Sequence, residues 1–363
     1  MPPYGQIVIG PPGAGKSTYC SGMNQFLNSI GRHSMIVNLD PANDRLPYEA
    51  AIDIRDYITL EEIMEVEGLG PNGGMVYALE VFEEQLDDFL KRIRGLIDLN
   101  KKSSSCYLIF DSPGQVELFT NHHVFNNIYA RLVKELDFRM CVVNLVDSNN
   151  ILKPSLYISI LLLSLRAMLQ MDLPQVNVLS KIDMLKQFVE HEPLPFDLNY
   201  YTEVQNLNYL IPHIETEENN PRARFFKQKH LKLSELIAEM VEDYNLIQFE
   251  VLSIEDKNSM INLLSLIDKS NGYAFGNELG GDSIWQDAIR QSSTGYMQEI
   301  DIQERWIDHK DEWDQLEAEK RKELIEQMNK EDEALNRPLG EDEEWEMALK
   351  QWEESTGKSF LKQ

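Results

Sequence analysis

The chain is short of cysteine. Its three thiols, Cys20, Cys106 and Cys141, stand far apart in 363 residues and form no CxxC pair. That excludes a disulfide framework and a zinc finger. All three lie in or beside apolar stretches, so buried, reduced thiols are expected. The chain is also short of positive charge. Lysine and arginine number 34 against 61 aspartates and glutamates, a net charge of −27. So acidic a molecule has no bulk attraction for phosphate backbones or anionic lipid, and neither nucleic acid nor membrane is expected as a partner. The longest apolar run, Leu156 to Leu169, is broken by Ser159, Ser164 and Arg166. It falls short of the ~20 residues of a membrane helix. No basic-then-apolar leader opens the sequence, and a soluble intracellular protein is the expectation.

What is there is a globular composition. Hydrophobic residues make up 42%, which excludes wholesale disorder. Residues 1 to about 272 read as alternating strands and helices. Short β-rich runs lie at Gln6–Ile9, Ser34–Leu39, Cys106–Phe110, Met140–Val146, Gln175–Ser180 and Ile247–Leu252. Most are apolar without alternation, as strands covered on both faces are. Helices are expected at Lys16–Ile30, Tyr77–Leu99, Ser155–Met171, Leu231–Tyr244 and Ser259–Lys269. The pattern predicts an α/β fold, a mostly parallel sheet with helices on both faces. After residue 272 the composition changes. All five tryptophans lie there, and residues 301 to 363 hold 20 acidic and 10 basic residues. An acidic, partly helical extension (273–363) is expected, with a helix over Asp311–Glu333 and its tryptophans available to anchor a partner.

Three runs carry chemistry. Gly10-Pro11-Pro12-Gly13-Ala14-Gly15-Lys16-Ser17-Thr18 follows the first strand and opens a helix. Its form, G-x-x-x-x-G-K-[ST], lets backbone N–H groups close around phosphate oxygens, while Lys16 reaches the β- and γ-phosphates and Ser17 ligates Mg²⁺. The helix aims its positive end at the same phosphates. Phe110-Asp111-Ser112-Pro113-Gly114-Gln115 follows another strand. Asp111 is placed to hold Mg²⁺ through water, Gly114 to offer its N–H to a γ-phosphate, and Gln115 to orient an attacking water. Ser180-Lys181-Ile182-Asp183 follows a third. A carboxylate at Asp183 accepts both the N1–H and the 2-amino protons of guanine, and adenine lacks both. Lys181 is expected along the base, while Ser180 stands where Asn or Thr is usual. Together these indicate a P-loop NTPase that binds GTP or GDP with Mg²⁺. Asp40, in Asn38-Leu39-Asp40-Pro41-Ala42, belongs at the carboxyl edge of the sheet, where ligands bind. Leu69-Gly70-Pro71-Asn72-Gly73-Gly74 reads as a tight turn between amphipathic segments.

GPPGAGKST, NLDPAND, GPNGG, DSPGQVEL and NVLSKID, in this order, resemble the GPN-loop GTPases over residues 5 to about 272. LPYE after the DPAN run and FDLNYYTEV at 196–204 match one branch of that family best. The resemblance implies a dimer with facing nucleotide sites, formed with itself or with a GPN-loop GTPase paralogue. In it, Gly70, Pro71 and Asn72 form the loop that reaches the other subunit's γ-phosphate, so Asn72 acts in trans. It further implies that Asp40 and Gln115 position the water, with Asp111 near the metal, and that residues 186–230 form a helical insertion able to hold hydrophobic partner segments. Family members are linked to assembly and nuclear import of RNA polymerases II and III, working mainly in the cytoplasm. Pro11 and Pro12 stand where a related dimerising group carries a trans-acting lysine.

Other functions draw on some of the same residues. A small-molecule kinase shares the GPPGAGKST run but needs an arginine-rich clamp for its second phosphate ester, and none is evident. A binding module switched by GTP, with incidental turnover, is compatible with all the motifs. Metal delivery through His122 and His123 is disfavoured, since adjacent residues on a helix point about 100° apart.

Overall fold

The computed structural model describes residues 2–43, 45–100, 106–217, 224–273, 302–316, 318–319 and 322. Seven strands form one sheet: β1 (Tyr4–Ile9), β2 (Ser34–Asn38), β3 (Ala50–Asp53), β4 (Tyr107–Asp111), β5 (Arg139–Asp147), β6 (Gln175–Ser180) and β7 (Phe249–Leu252). Their order is β3-β2-β4-β1-β5-β6-β7, and every paired neighbour is parallel. The expected α/β fold with a parallel sheet is what the chain adopts.

Alternating strand residues face opposite sides. Ile7, Ile9, Val37 and Phe110 pack one way, against α3 (Pro71–Glu84), α4 (Leu86–Asn100) and α6 (Val124–Leu136) through Phe82, Phe89 and Ile128. Val8, Ile36, Ile109 and Val143 pack the other way, against α1 (Lys16–Ser29) and α12 (Lys257–Asn271) through Met23, Leu27 and Leu263. A third cluster lies beyond β6. It gathers Tyr157 and Leu161 of α7 (Pro154–Met171), Leu185 of α8 (Ile182–Val189), Tyr201 of α9 (Leu198–Glu203), Leu210, Ala238 of α11 (Arg224–Tyr244) and Trp306. With α10 (Ile211–Glu217), these segments make the region after the base motif helical. The helix α7 is long and apolar enough to meet the composition of a membrane span, but Tyr157, Ile158, Leu161 and Leu165 are core residues here. The three cysteines are free and buried.

The structure corrects several expectations. One helix was expected over Tyr77–Leu99. The chain turns at Gln85 instead, whose N–H meets the Glu83 and Phe82 carbonyls, and the turn brings Phe82 and Phe89 edge to face at 5.1 Å. The strand β3 was not foreseen. Its sequence, Ala-Ala-Ile-Asp, has little β preference, and pairing with β2 decides it. The helices α2 (Leu60–Glu67), α5 (Val116–Thr120) and α6 were also missed. The compact unit runs on to Asp308, past residue 272. Trp306 is buried in the third cluster and Gln303 accepts from the Leu198 N–H at 2.9 Å. A second unit starts at His309; its residues 310–316 are helical, with Lys310 and Asp314 paired at 3.8 Å. The rest of the helix expected over Asp311–Glu333 falls largely outside the described residues, as do Trp285, Trp345 and Trp352.

Candidate active site

The carboxyl ends of β1, β2, β4, β5 and β6 bring the predicted loops to one edge of the sheet. With β4 on one side of β1 and β5 on the other, the chain leaves the sheet centre in both directions. The crevice at that point is where open α/β sheets bind ligands.

At the end of β1 the backbone runs hard against β5. A Cβ on Gly10 would lie 2.3 Å from the Leu145 carbonyl oxygen, at φ +147°, so no other residue fits. The loop then wraps to Gly15, the N-cap of α1. Lys16 opens that helix, and its ammonium donates to the carbonyls of Gly10 at 3.1 Å and Pro11 at 3.2 Å. It therefore lies across the mouth of the cradle. Burial pushes its pKa down, partly offset by the charges of Asp111 and Asp40. Pro12, Gly13 and Thr18 are exposed, whereas Ala14 is buried.

Asp111 ends β4, level with Val8 of β1 and Asn38 of β2. It is 1% exposed. Its Oδ2 accepts from the Tyr48 phenol at 2.6 Å, while Oδ1 is buried with no hydrogen-bond partner. Burial raises its pKa, and Tyr48, the nearby Ser17 hydroxyl, the charge of Lys16 and the Cys20 thiol offset part of the rise, Ser17 and Cys20 standing close to the carboxylate without a well-formed bond to Oδ1. Burial and then the carboxylate beside it push the Tyr48 phenol far up, so it stays a donor. A buried, unpaired carboxylate oxygen next to a serine hydroxyl is a donor set that suits a hard cation. Mg²⁺ therefore fits between Ser17 and Asp111. Among the described residues no cluster of three His, Cys, Asp or Glu side chains offers another metal site. His123 is engaged with Gln170 at 3.1 Å.

Asp40 follows β2 and accepts from the Ala42 N–H at 3.0 Å. Burial raises its pKa, and the charge of Asp111 adds to the rise. The backbone there is tied to Asn38, whose Nδ2 donates to the Asp40 carbonyl and to Asp53. Gly114 comes close to the cradle: a Cβ there would stand 3.0 Å from the Lys16 ammonium and 3.2 Å from Pro12 Cα. Gln115 is the N-cap of α5. The far end of α5 is fixed to α7, where Arg166 donates to the Thr120 carbonyl at 3.0 Å and to Asn121 at 2.6 Å.

The segment read as a tight turn is the first turn of α3. Gly70 is its N-cap and Pro71 sits at the first helical position, where its fixed φ suits a helix and its missing N–H costs nothing. Asn72 is exposed and accepts from Gln115 Nε2 of the same chain at 3.4 Å. The two amides thus share the outer rim of the crevice.

On the base side, the single proton of the Ser180 hydroxyl is shared between the Ala14 carbonyl at 2.8 Å and the Val146 carbonyl at 3.1 Å. The short hydroxyl ties the base loop to the phosphate loop, although it replaces the commoner Asn or Thr. Lys181 adopts φ +58°, and its ammonium donates to the Gly13 carbonyl at 2.6 Å and to Asp147 at 2.7 Å. Asp183 lies in the first turn of α8. Sequence reasoning missed Tyr48, Asp147 and Asn43, whose amide reaches Ser17 at 3.5 Å. Asn43 and Tyr48 stand inside the NLDPAND and LPYE runs, which mark the family but not these contacts, and Asp147 closes a strand beside the base motif.

The chain is similar to known proteins. A family model described as "Conserved hypothetical ATP binding protein" matches residues 8–273. The chain is 54% identical to GPN-loop GTPase 2 of Saccharomyces cerevisiae over 361 residues, 99% of this chain and all of that protein. The chain belongs to the GPN-loop GTPases. Its identity to GPN-loop GTPase 2 of Schizosaccharomyces pombe is 47% over 318 residues, 87% of this chain and 95% of that one. The apo crystal structure of a GTPase from Pyrococcus abyssi covers 74% of this GPN-loop GTPase and 97% of itself, at 24% identity and a TM-score of 0.55. That likeness bears on the fold alone.

Proposed function

We propose that this GPN-loop GTPase binds Mg²⁺–GTP in the Gly10–Thr18 cradle and hydrolyses it within a dimer. The observation that carries the reading is the meeting, at one sheet edge, of the Lys16 ammonium, the unpaired oxygen of Asp111 and the Gln115–Asn72 amide pair. Lys16 takes the β- and γ-phosphates, and Ser17 and Asp111 hold the cation. Mg²⁺, when bound, neutralises charge on the phosphates. Gly114 offers its N–H to the γ-phosphate. Gln115 and Asp40 orient the attacking water, and the raised pKa of Asp40 suits a carboxylate that accepts a proton. Asp183 reads the guanine ring.

In the dimer, formed with itself or with a paralogue, Gly70, Pro71 and Asn72 serve the opposite site. The exposure of Asn72 on the rim supports this. The cellular task proposed is assembly and nuclear import of RNA polymerases II and III, through their subunits or assembly factors, in the cytoplasm with passage to the nucleus.

Mixing two inactive variants tests action in trans. Lys16→Ala subunits lack a working cradle but keep Asn72; Asn72→Ala subunits keep the cradle. Mixed dimers should regain GTP hydrolysis. If size-exclusion confirms mixed dimers and hydrolysis stays absent, Asn72 acts within its own chain.

A second reading makes GTP a switch for partner binding, with turnover incidental. Exposed apolar residues along α11, among them Leu233, Leu236, Met240 and Tyr244, favour it. Under this reading Gln115→Ala supports growth in cells while Lys16→Ala does not; equal loss selects hydrolysis.

A further inference from the structure

The segment between Asp40 and β3 does more than carry Asp40. It is fastened at several points. Asn43 reaches Ser17, and its carbonyl accepts from Arg55 at 2.8 Å. Arg55 in turn pairs with Asp53 at 2.6 Å. Further along, the Pro47 carbonyl accepts from Ser21 of α1 at 3.4 Å. Tyr48 follows directly. Its ring lines a surface cleft of about 420 Å³ with Ser21, Asn24, Pro47 and Glu49, and its hydroxyl passes inward to Asp111.

We propose that Tyr48 is a positioning residue for the bound cation, fixing the Asp111 carboxylate through one oxygen so that the other is left for the metal shell. The proposal rests on the reading of Asp111 as the metal-side carboxylate. A carboxylate has two equivalent oxygens and turns freely unless one is held. Here Oδ2 is held at 2.6 Å, a short charge-assisted bond. That leaves Oδ1 as the oxygen without a hydrogen-bond partner, with Ser17 and the Cys20 thiol beside the carboxylate. Partners one step removed from a metal set the orientation of its ligands in this way, and losing them typically costs about 10- to 100-fold in metal affinity. Because Tyr48 and Asp40 share one fastened segment, the phenol also links the metal-side carboxylate to the loop expected to steer the water. Nothing in the sequence pattern marks the tyrosine for this task.

The test uses the full chain and the variant Tyr48→Phe, which keeps the ring and removes the hydroxyl. Affinity for a fluorescent GDP analogue is measured with excess Mg²⁺ and again in EDTA, and binding of Mn²⁺ to the GDP complex is followed by electron paramagnetic resonance. The expected result is an unchanged affinity in EDTA, a metal-dependent gain cut by about tenfold or more, and weaker Mn²⁺ binding. The melting midpoint should stay close to that of the wild type. An undiminished metal gain in Tyr48→Phe overturns the proposal. So does an equal loss with and without metal accompanied by a lower melting midpoint, because the tyrosine would then be only a plug. If the wild type itself shows no metal-dependent gain, the reading of Asp111 fails first and the proposal falls with it.

Discussion

On the base side of the crevice, Ser180, Lys181 and Asp147 are each bonded within the protein. Beneath them Asn144 donates to Ser164 and to Asn177, and the two oxygens left without a partner there, on Asn149 and Gln175, are neutral amides. The phosphate side is different. Asp111 and Asp40 are carboxylates whose burial raises their pKa, Lys16 is an ammonium whose burial lowers its own, and one Asp111 oxygen has no partner. The comparison teaches where ligand energy goes. Under the proposed function, recognition of the ring adds to a scaffold whose charged groups are already paired, whereas phosphate and cation would relieve an electrostatic cost that folding leaves in place.

That contrast is open to attack. The largest effect is expected at Lys16→Ala, which should slow GTP hydrolysis by about 10²- to 10³-fold and nearly abolish nucleotide binding by calorimetry. Asp183→Asn should act next. It should lower the preference for GTP over ATP by roughly 10- to 100-fold, as expected from ~1.5–3 kcal/mol per charge-assisted bond. Its melting midpoint should hardly move; an unchanged preference would take base reading away from Asp183.

A smaller effect concerns stability against pH. The Asp111 carboxyl sits above its ordinary value of 3.8 when folded, so the folded chain keeps that proton to higher pH than the unfolded chain. Stability is therefore lost as pH rises from 3.8 through the raised value. Asp111→Asn should flatten that slope and stabilise the metal-free protein at neutral pH by about 1 kcal/mol or more, while removing the metal-dependent gain in nucleotide affinity. Parallel melting curves against pH for variant and wild type would dissolve the contrast drawn above. The smallest effect belongs to Ser180→Ala. Losing the one proton that the hydroxyl shares between Ala14 and Val146 should cost about 1 kcal/mol, a few degrees in the melting midpoint, with binding weakened for GTP and GDP alike.

What could be read from the sequence follows the same division of labour. Gly10 and Lys16 announce themselves because backbone approach to phosphate allows few residue types. Parallel strands announce themselves through unbroken apolar runs. Tyr48 stayed hidden because its bond spans β4 and a distant loop and obeys no local spacing. The strand β3 was hidden because its neighbour, not its own residues, makes it a strand. Pro71 and Gly73-Gly74 looked like a turn, since glycine and proline weigh against helix in general; only the position of Pro71 at the start of α3 reconciles them with one. Ser180 looked like a weakened motif, and the tie it makes to the phosphate loop could be seen only with Ala14 in place.

The strand β1 has consequences for how the molecule is born. It is made first yet lies at the heart of the sheet, flanked by β4 and β5, and Gly10 rests on the backbone at Leu145. A nascent chain emerging from the ribosome thus carries its phosphate-gripping amides long before the strand that shapes them exists. Until β4 has left the exit tunnel β1 is an apolar strand without neighbours, and its other flank stays open until β5 follows.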